Sequence, residues 1–316
     1  MAHVGRLVCV TVVAALLLGA AGAPVAAELK VALVLAGSIT DQGPNQLSYE
    51  GLMKAKERYG VTVAHSEKTK QADQAQTIED YARRNYDVVI AAGGEFVEAT
   101  KRAAQRHKNT KFVCVNCAAT AGLATINFDN FQVGYVFGYV GGKMSKSGKV
   151  GFVGGQRIKP NVDLIAGMNK ALQDVKSGNQ VLVTYTNDWD DVAKAKEAAL
   201  AQIGQGADAV VAYLDNGFVG VVQAAKEKSK WVLNPFFDLG KREPDVNLVS
   251  AVADPAAAVT ESVRLAVEKK LEPKDYVYGI GTPVVQLGTL NPSVPADVKS
   301  GLEKVLADLK AGRIKP

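Results

Sequence analysis

The stretch LKVALVLAGSITDQGPNQLSYEG, residues 29–51, decides how the rest of the chain is read. It opens with an unbroken apolar run, Val31 to Ala36, too short to cross a membrane and suited to a strand buried on both faces of a parallel sheet. A polar turn follows, Gly37-Ser38-Ile39-Thr40-Asp41-Gln42-Gly43. Pro44 then fits the first turn of a helix, where its missing N–H costs nothing, and the helix is expected to run to Tyr59. A strand, a tight glycine-containing loop and a helix start leave unpaired backbone N–H groups and short polar side chains at one sheet edge. In open α/β folds that edge is where small molecules are held.

Outward from this segment the alternation continues. Short apolar runs at 61–64, 88–92, 112–115, 150–153, 181–185, 209–213 and 231–233 read as strands. Amphipathic helical stretches at 71–84, 96–107, 162–175, 192–205 and 219–228 separate them. Such βαβ alternation implies α/β parallel sheets with right-handed crossovers. A first set of units ends near Asn127, and a glycine-rich aromatic helix from Tyr135 to Gly142 leads to a second set beginning at Lys149. After Asp238 the order loosens into a strand near 248–252, a helix at 255–268, a strand near 284–287 and a last helix at 296–311. The expected architecture is two doubly wound lobes joined by hinge crossovers. Residues 28–128 plus 238–280 would form one lobe and residues 129–237 plus 281–316 the other.

The length, 316 residues, suits two cores, and 47% hydrophobic with 22% charged residues excludes a disordered chain. The net charge of +5 is spread over helix faces, as at Lys54, Lys56 and Arg58, so no nucleic-acid surface is expected. Residues 1–27 carry Arg6, an apolar segment from Leu7 to about Leu18 and small residues up to Ala27, the pattern of a secretory signal peptide. Cys9 lies inside that apolar segment and away from the cleavage site, so a periplasmic protein without a lipid anchor is expected.

Cys114 and Cys117 form a C-x-x-C spacing that invites a redox or metal reading. Residues three apart on a strand point to opposite faces, and His65 and His107 are scattered, so buried or strand-end thiols are expected, with a metal or disulfide role as the minor alternative. Asp41 could accept from a ligand or brace its own turn, and Asn45 could bind or cap. Tyr49, one turn further on, reads as core. Gly93-Gly94-Glu95-Phe96 follows a strand and offers backbone N–H groups and a stacking ring at the binding edge. Asp129 could bind ligand or cap the helix that follows. Gly154-Gly155-Gln156-Arg157 lacks dinucleotide and P-loop spacing, so no cofactor is expected.

Asp41-Gln42-Gly43-Pro44-Asn45-Gln46, followed by Tyr49-Glu50-Gly51, resembles the D-x-G-F-N-x-x-x-Y-x-G signature of the basic membrane protein family, substrate-binding proteins of ABC transporters. The likeness continues in Gly148-Lys149-Val150-Gly151-Phe152-Val153-Gly154-Gly155, in Gly206-Ala207-Asp208 and in Ala224-Ala225-Lys226-Glu227-Lys228. The resemblance implies a type I periplasmic binding fold, an ABC permease as partner, and a purine nucleoside or nucleobase as ligand. Two departures weigh against a nucleoside. Pro44 stands where the family's base-stacking Phe lies, and Phe236 falls where an Asp holds the ribose, with Ala253 near an expected Lys. Trp189 in Asn187-Asp188-Trp189-Asp190-Asp191 and the segment Tyr213-Leu214-Asp215-Asn216 are similar to segments of nucleobase-binding relatives.

The resulting expectation is a monomeric periplasmic binding protein that holds a flat heterocycle between its lobes without chemistry. The residues expected at the ligand are Ser38, Asp41, Asn45, Gly94, Glu95 and Phe96 at the first rim. Asp129, Trp189, Tyr213, Asp215, Asn216, Phe236 and Asp238 complete the set. Alternatives are a binder of nucleosides or other solutes, an exported nucleoside-acting enzyme, for which Asp190-Asp191 is the only dense carboxylate pair, or a receptor reporting to a membrane sensor.

Overall fold

The computed structural model describes residues 1–2 and 29–316; the expected signal peptide lies outside the described residues. The first lobe begins with β1 (Lys30–Leu35), α1 (Pro44–Tyr59), β2 (Thr62–Ser66), α2 (Gln74–Arg83), β3 (Val88–Ala92) and α3 (Val97–Arg106). It continues through β4 (Lys111–Val115) and β5 (Ala124–Phe128). The second comprises α4 (Asn130–Met144), β6 (Lys149–Gly154), α5 (Lys159–Val175), β7 (Gln180–Tyr185), α6 (Val192–Gly204), β8 (Ala209–Tyr213), α7 (Phe218–Lys228) and β9 (Trp231–Asn234). The closing elements are β10 (Asn247–Ala253), α8 (Pro255–Val267), β11 (Asp275–Tyr278), β12 (Val285–Leu290) and α9 (Ala296–Lys310).

Two six-stranded sheets result, ordered β11-β5-β4-β3-β1-β2 and β12-β10-β9-β8-β6-β7. All pairs are parallel except β10 with β12. β1 is apolar on both faces because both are covered: Val31, Leu33 and Leu35 enter one apolar cluster, Ala32 and Val34 the other. In each sheet the strand order reverses direction beside the first strand, at β1/β3 and at β6/β8, which opens a crevice at the carboxyl ends of those strands.

The late segments differ from the expected lobe boundaries. β10, assigned from sequence to the first lobe with the rest of 238–280, pairs with β9 and β12 in the second sheet. The chain then returns to the first lobe for α8, which packs on α1 through Gly51, and for β11, which adds to β5. Neither β5 nor β11 stood out in the sequence. β11 is an edge strand of alternating exposure, with Val277 in solvent, so it lacks the continuous apolar signature of a buried strand. The glycine-rich helix, α4, uses Gly134 and Gly138 to lay its backbone against Leu164 and Met168 of α5.

The cysteines overturn the thiol expectation: Cys114 and Cys117 form a disulfide, Cα to Cα 5.7 Å. Alternation applies only as far as Val115, where β4 ends. Asn116 then takes a left-handed φ of 57°, which Asn tolerates better than most residues, and the chain folds Cys117 back beside Cys114. Protein lacking residues 1–27 is expected to titrate no thiol until it is denatured and reduced, and two thereafter. At the α1–α8 crossing, a Cβ on Gly51 would strike the backbone of Ala256. Gly51→Ala should therefore lower unfolding free energy by about 1–3 kcal/mol, read from the urea midpoint at unchanged slope.

Candidate functional site

The two lobes meet over a cavity whose empty space, open mouth included, amounts to about 550 Å³. Its first-lobe wall is built at strand ends: Pro44 and Asn45 after β1, Gly93, Gly94 and Glu95 after β3, and Asn116 after β4. The second-lobe wall is Ile158 after β6, Trp189 after β7, Asp215 after β8 and Phe236 after β9, with Tyr213 at the last position of β8. Phe128 and Pro255, at the hinge crossovers, close the back.

Asp41 organises the first rim. Its carboxylate accepts from the backbone N–H of Gly43 at 2.8 Å, Gln46 at 3.0 Å and Asn45 at 3.2 Å, so it satisfies the orphan donors at the start of α1. The Asn45 amide donates to Asp41 at 2.8 Å and to Asp215 of the opposite lobe at 2.6 Å, while its oxygen accepts from Gly37 N–H at 3.1 Å. Gly37 is required for this: a Cβ there would collide with the Asn45 amide. A second bridge runs from the Asn116 amide to the Tyr213 hydroxyl at 2.8 Å, and a third from the Arg242 guanidinium to the Gln42 carbonyl at 2.8 Å.

Aromatic rings give the cavity its flat surfaces. Tyr213 and Phe236 pack edge to face at 4.6 Å between centroids. The Trp189 indole lies directly on Gly155, where any side chain would occupy the ring's place. Gly93, at φ 129°, likewise leaves room for the Glu95 carboxylate, which a Cβ would strike.

Among the described residues the lining includes two acids and no Lys, Arg or His. Burial pushes Glu95 up to about 7. Asp215 is held well above the ordinary carboxylate range, first by burial and then by the negative charges of Asp41, Glu95 and Asp190. Burial also raises Asp190.

Of the thirteen residues expected at the ligand, the cavity brings together Asn45, Gly94, Glu95, Trp189, Tyr213, Asp215 and Phe236. Asp41 stands one layer behind, through Asn45. The others are engaged elsewhere. Ser38 bonds Glu67 at 3.2 Å, Phe96 is fully buried under the first sheet, and Asp129 caps α4 through Gln132 N–H. The Asn216 backbone is bonded to Asp190, and Asp238 is fixed to Thr289 of β12 by two hydrogen bonds. Phe237, beside the lining Phe236, packs on Phe218 instead. Sequence reasoning missed Ser48, Asn116, Phe128, Ile158 and Pro255. Asn116 was hidden inside the C-x-x-C motif; an Asn directly after a strand was the available signal.

This arrangement is that of a two-lobed solute-binding protein with the type I periplasmic binding fold. A crystal structure of ABC transporter solute-binding proteins from Aeropyrum pernix K1 superposes with a TM-score of 0.82 at 18% identity, covering 91% of this chain and 92% of that one. Residues 28–311 match the family model described as ABC transporter substrate-binding protein PnrA-like, and the chain belongs to that family. Among its relatives are the transcriptional activator protein med of Bacillus subtilis, 26% identical over 95% of both chains, and a purine-binding protein of Brucella abortus, 25% identical over 78% of this chain and 69% of the relative. The chain is thus a substrate-binding component of the ABC transporter class, a family of solute binders and not an enzyme class.

The raised acids set a pH dependence. Glu95 ordinarily titrates at 4.5 and in the folded protein at about 7, so the native state holds a proton that the unfolded chain has already lost. Stability of the unliganded protein should therefore fall as pH rises from about 4.5 to about 7, Glu95 contributing on the order of 3 kcal/mol. Glu95→Gln should flatten that fall in urea unfolding series between pH 5 and 8.

Proposed function

We propose that the protein is the exported solute receptor of an ABC importer and takes a flat nitrogen heterocycle of nucleobase size between its lobes. The observation that carries this reading is the pairing of aromatic surfaces with hydrogen-bonding edges around one cavity. Trp189, Tyr213, Phe236 and Phe128 supply planes, while Asn116, Glu95 and Asp215 offer polar groups at their margins. A base without its sugar fits better than a nucleoside, because Phe236 fills the position where the family resemblance expects a ribose-binding acid. The name of the Brucella relative supports purines as the first ligands to try.

Binding is the whole of the chemistry in this reading. Asp191, half of the Asp190-Asp191 carboxylate pair, caps α6 through Lys194 N–H, which gives it a structural task. A ligand touching both walls favours the closed arrangement by its differential contacts, and the closed lobes then present paired faces to the permease. Residues 1–27 act as the export signal that places the receptor outside the cytoplasmic membrane.

Adenine or hypoxanthine at millimolar concentration should raise the melting temperature of protein lacking residues 1–27, and quench or shift Trp189 fluorescence. Asn45→Ala should weaken that binding about tenfold or more by breaking the contact between rims. Absence of any shift with purines, pyrimidines or nucleosides would remove the heterocycle from this reading. Consumption of the bound compound in a product assay would remove the claim of binding without chemistry.

A further inference from the structure

We propose that the ligand is cationic at its hydrogen-bonding edge: a planar base bearing an amidinium- or guanidinium-like group, held between Glu95 and Asp215. This inference rests on the interlobe reading above and specifies the charge of its ligand.

The charge inventory of the cavity carries it. Glu95 and Asp215 line the wall, and Asp41 and Asp190 stand close behind Asp215. No Lys, Arg or His is among the lining residues. Among the described residues Glu95 has no ion-pair partner, and the only donor that reaches its carboxylate is its own backbone N–H. Asp215 accepts one side-chain hydrogen bond, from Asn45, which leaves its other oxygen for a guest. Other acids of the molecule are matched by cations: Asp208 receives Lys230 and four serine-loop donors, and Glu261 receives Arg264. Glu95 and Asp215 in the cleft receive no such cation.

A buried carboxylate without a partner is costly, and charge is recovered either by taking up a proton or by admitting a cation. A metal ion is not what the acids are arranged for: no group of three acidic, His or Cys side chains among the described residues could hold one. The surrounding rings favour an organic cation instead, since Trp, Tyr and Phe faces attract delocalised positive charge. The same wall repels phosphate and carboxylate groups, which supplies the rejection that specificity needs. The groups facing the two acids, namely Asp41, Asp190 and Tyr213, are all acidic or neutral, so none offsets their charge.

Three probes of one shape separate the possibilities: benzamidine, benzamide and benzoate, titrated calorimetrically at pH 8 with adenine as the neutral-base control. Benzamidine should bind at least tenfold more tightly than benzamide, and benzoate should not bind. Between pH 6 and pH 8 benzamidine affinity should rise, because the cation displaces the proton on Glu95, while a neutral ligand that accepts that proton should weaken. Glu95→Gln should cost benzamidine about tenfold and change benzamide less than threefold. Asp215→Asn serves the same purpose if the first variant melts abnormally. If benzamide equals benzamidine while adenine binds, the cationic inference falls and the heterocycle reading stands. If no probe binds, adenine included, both fall.

Discussion

One side-chain amide holds the two halves of this molecule in register. Asn45 donates its two N–H hydrogens to two carboxylates, Asp41 on its own loop and Asp215 across the cavity, and its oxygen accepts from the Gly37 N–H. All its hydrogen-bonding directions from the amide nitrogen are spent, so its position is fixed by geometry on three sides. The contact demands a glycine at 37, a start of helix α1 at Pro44, and a carboxylate at the end of β8. Two stretches of chain 170 residues apart therefore converge on one amide.

That contact has an electrostatic consequence. It draws Asp41 and Asp215 towards each other inside a desolvated cleft, with Glu95 and Asp190 near enough to add repulsion. An amide relieves this only in part, since it carries dipoles and no net charge. The acids of this pocket therefore lack a neutralising cation among its described lining residues.

The disulfide belongs to the same design. Joining Cys114 to Cys117 constrains the short loop that carries Asn116, whose amide reaches Tyr213 and whose oxygen accepts from Asn130 at the start of α4. The first lobe, the hinge and the second lobe are tied at one residue. Restricting that loop before binding lowers the ordering cost that binding would otherwise carry.

The sequence by itself determined the alternating βαβ pattern, the double-faced burial of β1 and the helix start at Pro44, because each follows from local periodicity and backbone chemistry. It also marked Asn45, Glu95, Trp189 and Asp215, since polar or aromatic residues just past an apolar strand reach the carboxyl edge of a sheet by construction. Only the tertiary structure decided that β10 belongs to the second sheet, because strand pairing depends on a crossover that leaves no local trace. It also decided that Asp129 and Asp238 serve a helix cap and a strand contact, tasks any turn aspartate can take. The cysteine pairing required the left-handed turn at Asn116, which alternation along a strand does not foresee. Which acids share one cavity, and that no cation joins them there, is a fact of packing between segments as far as 170 residues apart.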